Sequence, residues 1–200
     1  MSFGALRKGD VLVIVDVQSD FVSGSLRVPG AAEVVAPLNA CISAFRHAGL
    51  PVVATRDWHP PEHKSFRRNG GLWPAHCVAG TGGADFAAGL QLPGDAWIVS
   101  KATVPTLEAY SGFEGTDLDT RLKREGARRL FVGGLATDYC VLRTVLDARA
   151  LGYETVVLAD AIRAVNAGPG DGDRAVAEMR QAGAWFATTD EVLGEPAFHG

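Results

Sequence analysis

Residues 11–17, Val-Leu-Val-Ile-Val-Asp-Val, form an apolar, largely β-branched run broken only by Asp16. A strand with one wet face alternates apolar and polar residues, so a run without alternation belongs to a central strand buried on both faces. Such a strand needs a layer of helices on each side of its sheet. The remaining chain can supply both. Short apolar runs at 51–55, 96–100, 130–134, 155–158 and 185–187 read as further strands. Between them, 31–48, 84–90, 116–125, 138–151 and 173–182 read as helices. The first of these helices is stopped by Gly49, and Thr116 with Asp119 has the spacing of a Thr-x-x-acid cap. Strands alternating with helices predict an α/β fold, a three-layer α-β-α, Rossmann-like arrangement around a mostly parallel six-stranded sheet. Neither a repeat nor a composition break divides residues 1–200, so a single domain is expected.

Composition narrows the function classes. The net charge of -4 argues against nucleic acid or an anionic membrane as the main partner and leaves a small molecule, and it is compatible with a homo-oligomer. No apolar run approaches the roughly 20 residues that cross a bilayer, and residues 1–10 lack the apolar core of a secretion signal. Cys41, Cys77 and Cys140 cannot all pair within the chain and form no Cys-x-x-Cys, which suits a reducing, cytoplasmic setting.

In a sheet of this type the ligand crevice lies beyond the carboxyl ends of the strands. Asp16, Asp57, Lys101 and Cys140 each fall at or just past such an end. Gly133-Gly134-Leu135-Ala136-Thr137-Asp138-Tyr139-Cys140 reads as strand, glycine turn and helix start, with the thiol in the first turn. Unpaired backbone N–H groups there favour a thiolate and can hold a developing oxyanion. The setting by itself suits a buried core thiol as well. With an acid and an ammonium at the same edge, the set suffices for acyl transfer through a thioester. Asp16 would take the thiol proton, Cys140 would attack, and Lys101 would stabilise the thiolate.

The stretch 58–83 is rich in Pro, Gly, His and Trp without a clear period, and a loop this long in a compact domain is usually functional. Three of the five histidines, His59, His63 and His76, lie in it, directly after Asp57. One carboxylate and two or three imidazoles can hold a single divalent metal ion with positions left open; zinc, iron or manganese fits such donors. Histidines bonded within a polar loop are the competing account.

Several segments together carry a family resemblance: Val-Asp16-Val-Gln18 with Asp20-Phe21, Thr-Arg-Asp57-Trp-His59-Pro-Pro-Glu-His63, Trp73-Pro-Ala-His76-Cys-Val-Ala-Gly-Thr, Lys101, Tyr110-Ser-Gly-Phe113 and Gly-Leu135-Ala136-Thr-Asp-Tyr-Cys140-Val. The chain resembles the nicotinamidase/pyrazinamidase group of the isochorismatase-like cysteine hydrolases. The resemblance implies an isochorismatase-like fold and a metal-containing amidohydrolase that converts nicotinamide to nicotinate and ammonia and accepts pyrazinamide. It implies Asp16, Lys101 and Cys140 as the catalytic triad, and Asp57, His59 and His76 as metal ligands, with zinc the leading ion and His63 a further ligand. Phe21, Trp73 and Tyr110 correspond to aromatic pocket walls, and the N–H groups of Ala136 and Cys140 to the oxyanion site. The Leu135–Ala136 peptide corresponds to one that is cis in the family. The segment between Lys101 and Tyr110, with Pro105 in it, need not match the family in length. An isochorismatase-like hydrolase acting on a carbamoyl or ureido amide is the alternative.

Overall fold

The computed structural model describes residues 5–194. Six strands, β1 (Asp10–Val15), β2 (Val52–Asp57), β3 (Trp97–Lys101), β4 (Arg129–Leu135), β5 (Glu154–Arg163) and β6 (Trp185–Ala187), form one sheet in the order β3-β2-β1-β4-β5-β6. Every neighbouring pair is parallel. The helices are α1 (Ser19–Val22), α2 (Val35–His47), α3 (Leu118–Arg124), α4 (Leu142–Ala150), α5 (Asp171–Gln181) and α6 (Thr189–Leu193). None of them is long and apolar enough to cross a membrane.

The unbroken apolar run of β1 is explained by two separate cores. Leu12 and Ile14 pack with Leu38, Ile42, Phe45 and Val192 on the α2 and α6 side. Val11, Val13 and Val15 pack with Leu118, Leu122, Val141, Val145 and Met179 on the α3, α4 and α5 side. Successive side chains of a strand point to opposite faces, so each face claims alternate residues and neither leaves room for a polar one.

At the N-terminal edge of the sheet, Asp10 and Arg129 are register partners. Arg129 Nε donates to Asp10 Oδ1 at 2.9 Å and Nη2 to Oδ2 at 2.7 Å, a buried forked pair that locks β1 to β4. At the opposite edge two glycines permit close packing. A Cβ on Gly133 would lie 2.9 Å from Leu38 Cδ2, and one on Gly134, where φ is +127, would lie 2.1 Å from the Val15 carbonyl oxygen. The β4–β5 register shifts between Val132 and Gly134, and β5 then continues to Arg163.

The structure differs from the sequence reading in four places. Residues 84–90 are not helical: a single 3-10 turn, Gly82–Ala84, precedes a chain whose Ala87 N–H donates to Val17 O at 2.8 Å. Its backbone bonds go to the exit of β1 instead of to a helical ladder. The Thr116 hydroxyl does accept a helix-start N–H, from Leu118 at 3.3 Å, but Asp119 completes no capping box: its carboxylate takes Lys123 and Tyr153. Strand β5 runs past residue 158 because its second half pairs with β4 beyond the shift. Residues 137–141 are wound as a π turn before α4 starts, with the Val141 N–H reaching Ala136 O at 3.1 Å. Apolar periodicity reports which residues are buried and carries no mark of a wider first turn.

Gly134→Ala should lower stability by about 3 kcal/mol, because alanine would have to leave both its backbone region and the Val15 contact. Urea unfolding checks this through a lower midpoint at unchanged slope.

Candidate active site

Sheet order reverses between β1 and β4, and the candidate site lies beyond the carboxyl ends of these two strands. Asp16 follows β1 with φ +48, a left-handed conformation that aspartate tolerates better than most residues. Lys101 ends β3 two strands away. Cys140 sits in the π turn after β4. Lys101 Nζ lies 2.9 Å from Asp16 Oδ2. The ammonium donates to Asp57 Oδ1, to Ala109 O at 3.3 Å and to Cys140 Sγ at 3.4 Å. Lys101 and Asp16 thus form a buried ion pair closer than the Ala109 and Cys140 contacts, with Oδ2 the oxygen that faces the ammonium. Asp16 Oδ1 accepts instead from the Thr55 hydroxyl at 2.7 Å. An oxygen of Asp16, an oxygen of Asp57 and Cys140 Sγ lie within 4.8 Å of one another.

Asp57 also belongs to a second group. One ligand atom each from Asp57, His59 and His76 lie within 4.8 Å of one another, and all three residues are buried. His59 Nδ1 meets His76 O at 3.1 Å and His76 Nδ1 meets Pro74 O at 2.8 Å. A carbonyl only accepts, so both Nδ1 atoms carry the proton and both Nε2 lone pairs are free for a metal. Burial, with His76, His63 and Lys101 nearby, lowers the His59 pKa to about 3, which keeps the ring neutral as a ligand must be. This donor set fits a divalent cation.

His63, expected from the sequence as a further ligand, is engaged otherwise. Its Nε2 donates to Leu107 O at 2.9 Å, and its Nδ1 accepts from the Ser65 N–H at 3.3 Å and lies 2.8 Å from the Ser65 hydroxyl. Its one lone pair, on Nδ1, is thus taken by Ser65, and one ligand atom each from His59, His63 and Glu108 lie within 4.8 Å of one another.

A cavity of about 40 Å³ opens on Cys140. Phe21, Trp73 and Tyr110 line it, with Ala136 and the Asp57–His76 side of the metal set. Tyr139 lines it too and was not singled out from the sequence; it meets Trp73 at 5.2 Å and Tyr110 at 5.8 Å between ring centroids. Trp73 Nε1 donates to the Tyr110 hydroxyl at 3.3 Å, joining two loops across the mouth. Two further polar residues serve as supports. Gln18 accepts the Asp57 N–H and donates to Asp57 O, both at 2.8 Å, while Asp20 Oδ2 accepts the Cys77 N–H at 2.7 Å next to His76. Both stand in the first of the segments that carry the family resemblance, in the polar stretch after β1.

The sequence model of the isochorismatase domain matches residues 10–191. The chain belongs to the isochorismatase family. It is 37% identical to the nicotinamidase of Escherichia coli over 199 residues, 88% of this chain and 93% of that protein. A pyrazinamidase of Pyrococcus horikoshii solved in complex with zinc superposes with a TM-score of 0.86 at 46% identity, covering 90% of this chain and 99% of the other. PnC1 from L. infantum, solved in complex with nicotinate, superposes with a TM-score of 0.87 at 35% identity over 96% and 98%.

Electrostatics in this isochorismatase-family site revise one expectation. A thiol at a helix start favours thiolate, yet burial pushes the Cys140 pKa well above 9.0; Lys101 opposes that rise, and the Asp16 and Asp57 charges add to it. The sulfur therefore holds its proton at rest and needs a base. Burial also raises Asp16 above 3.8 against the pull of Lys101. For Lys101 burial acts downward, but Asp16 and Asp57 outweigh it and keep the ammonium charged.

Lys101→Met would leave two buried carboxylates facing each other without a counter-charge. A loss of about 3 kcal/mol is expected, read as a lower urea midpoint.

Proposed function

We propose that this chain is a nicotinamidase, hydrolysing nicotinamide to nicotinate and ammonia through a thioester and accepting pyrazinamide. The observation that carries the reading is a thiol, an ammonium and a carboxylate converging under a small aromatic-walled cavity whose other side is a metal-binding set. The family membership and the nicotinamidase and pyrazinamidase relatives support it.

In this reading Asp16 Oδ2 takes the Cys140 proton and the sulfur attacks the carboxamide carbon. The N–H groups of Ala136 and Cys140 receive the oxyanion, and Lys101 compensates the negative charge throughout. Asp16 returns the proton to the leaving nitrogen, ammonia departs, and the acyl group remains on sulfur. Asp16 then deprotonates water, which attacks the thioester; nicotinate leaves and the thiol is restored. Asp57, His59 and His76 would hold one divalent ion, zinc in our reading, with iron or manganese suited to the same donors. When bound, such an ion supplies a Lewis-acid contact for the ring nitrogen of a pyridine carboxamide. Phe21, Trp73 and Tyr110 would stack on or edge the flat ring.

The ureido or carbamoyl alternative is disfavoured for acids of that class. Such a substrate carries a carboxylate beside its amide, and among the described residues lining the cavity none is Arg or Lys, so only the metal set could face that charge.

Cys140→Ala should lower ammonia release at least ~1000-fold while nicotinamide still binds by calorimetry. Residual turnover near the parent level would refute the thioester route. A chelator should remove activity and zinc restore it, with elemental analysis reporting the ion; metal-free protein of full activity would point to the alternative. Asp16 must be ionised to act, and its folded pKa is raised, so kcat/KM should fall with acid at a pH above the ordinary carboxyl value of 3.8. The thiol must stay protonated at rest, so its loss on the alkaline side should come only above 9.0. A pH–rate profile measures both limbs.

A further inference from the structure

Residues 164–168 leave β5 and turn toward α5, and one of them meets the cavity from a side that belongs to neither the triad nor the metal set. Val165 lines the cavity. Its N–H donates to Asp138 Oδ1 at 2.9 Å, and the Asn166 N–H donates to Asp138 Oδ2 at 2.8 Å. Asn166 is left-handed, with φ +52, and its Oδ1 accepts the Gly172 N–H at 2.8 Å from the first turn of α5. A Cβ on Gly172 would sit 2.8 Å from Ala164 Cβ, so the segment is held closely from that side too. Asp138 lies in the π turn, two residues before Cys140. A carboxylate that spends both oxygens on two consecutive backbone N–H groups fixes the path of that backbone, and charge strengthens both bonds.

We propose that Asp138 is a positioning residue and Val165 a specificity-determining one: the carboxylate ties the nucleophile turn to the wall that limits ring size. This rests on the reading of the site as a carboxamide hydrolase. The wall and the sulfur are thereby held at one spacing, although they come from different strands. Val165 lines the cavity together with Leu26 and Val28, so a methyl group added to the ring on that side would press on aliphatic side chains. Val165→Ala removes two methyl groups from that wall. Asp138→Asn replaces one accepting oxygen by an amide NH2 that faces a donor, so one of the two bonds is lost and the wall loosens.

The test compares kcat/KM for nicotinamide and for a ring-methylated nicotinamide in the parent, Val165→Ala and Asp138→Asn proteins. The ratio of methylated to unmethylated substrate should rise about tenfold in Val165→Ala, the scale of discrimination by one methyl in an apolar pocket. Asp138→Asn should move the ratio the same way, with KM for nicotinamide rising more than kcat falls. A purely structural Asp138 would depress both substrates in proportion. Hydrogen exchange gives a readout free of turnover: in Asp138→Asn the Val165 and Asn166 amides should lose protection while those of β1 keep it. A ratio unchanged within twofold in Val165→Ala, or protected amides in Asp138→Asn, overturns the proposal. If nicotinamide is not hydrolysed, the functional reading alone falls, and the same ratio on a carboxamide that is hydrolysed and its methyl homologue decides the role of the wall.

Discussion

A fully buried ammonium between two buried carboxylates is the interaction around which this protein is arranged. Lys101 touches Asp16, Asp57 and the Cys140 sulfur at once. An uncompensated charge at that depth costs several kcal/mol, so the four strands that deliver these groups must end at matching heights. The parallel register does this, with Asp57 opposite Lys101 in the β2–β3 ladder. Asp57 has a second consequence. It is the one residue shared by the charged cluster and the metal-suited group, so a cation held there acts electrostatically on the ammonium and, through it, on the sulfur and the base.

The protonation pattern follows from the same burial. A dry site raises thiol and carboxyl pKa values together, which leaves the sulfur protonated and the acid a stronger base than in water. That is the combination a proton relay needs, and it differs from a cysteine activated by a helix start alone. Thr55 contributes by occupying one oxygen of Asp16, so that the other faces the Lys101 ammonium.

Supports of this kind recur in every layer of the site. Gln18 clamps the backbone of Asp57, Asp20 the backbone beside His76, and Asp138 the backbone of Val165. In each case a side chain a few residues past a strand end spends its polar atoms on main chain far away in sequence. The long loop 58–83 is held in this way with little regular structure of its own, and its Trp73 reaches Tyr110 across the cavity.

Much of this was legible in the chain itself. An apolar run without alternation demands two covering layers, and acids, an amine and a thiol at the ends of such runs fall on one edge of a parallel sheet. Residue type and strand phase therefore sufficed for the fold class and for Asp16, Asp57, Lys101 and Cys140 as neighbours. The π turn, the path of 84–90, the role of Tyr139 and the engagement of His63 depended on partners far away in sequence. His63 has the right chemistry for a metal, but Ser65 and Leu107 occupy its lone pair and its proton. Thiolate character was likewise undecidable from local sequence, since burial and the two carboxylates exist only once the strands are assembled. The amino-acid order determined which groups stand at the sheet edge, because side-chain alternation is a local property. Which of them meet, and in what charge state, was decided by tertiary packing, because distance and dielectric are properties of the folded molecule.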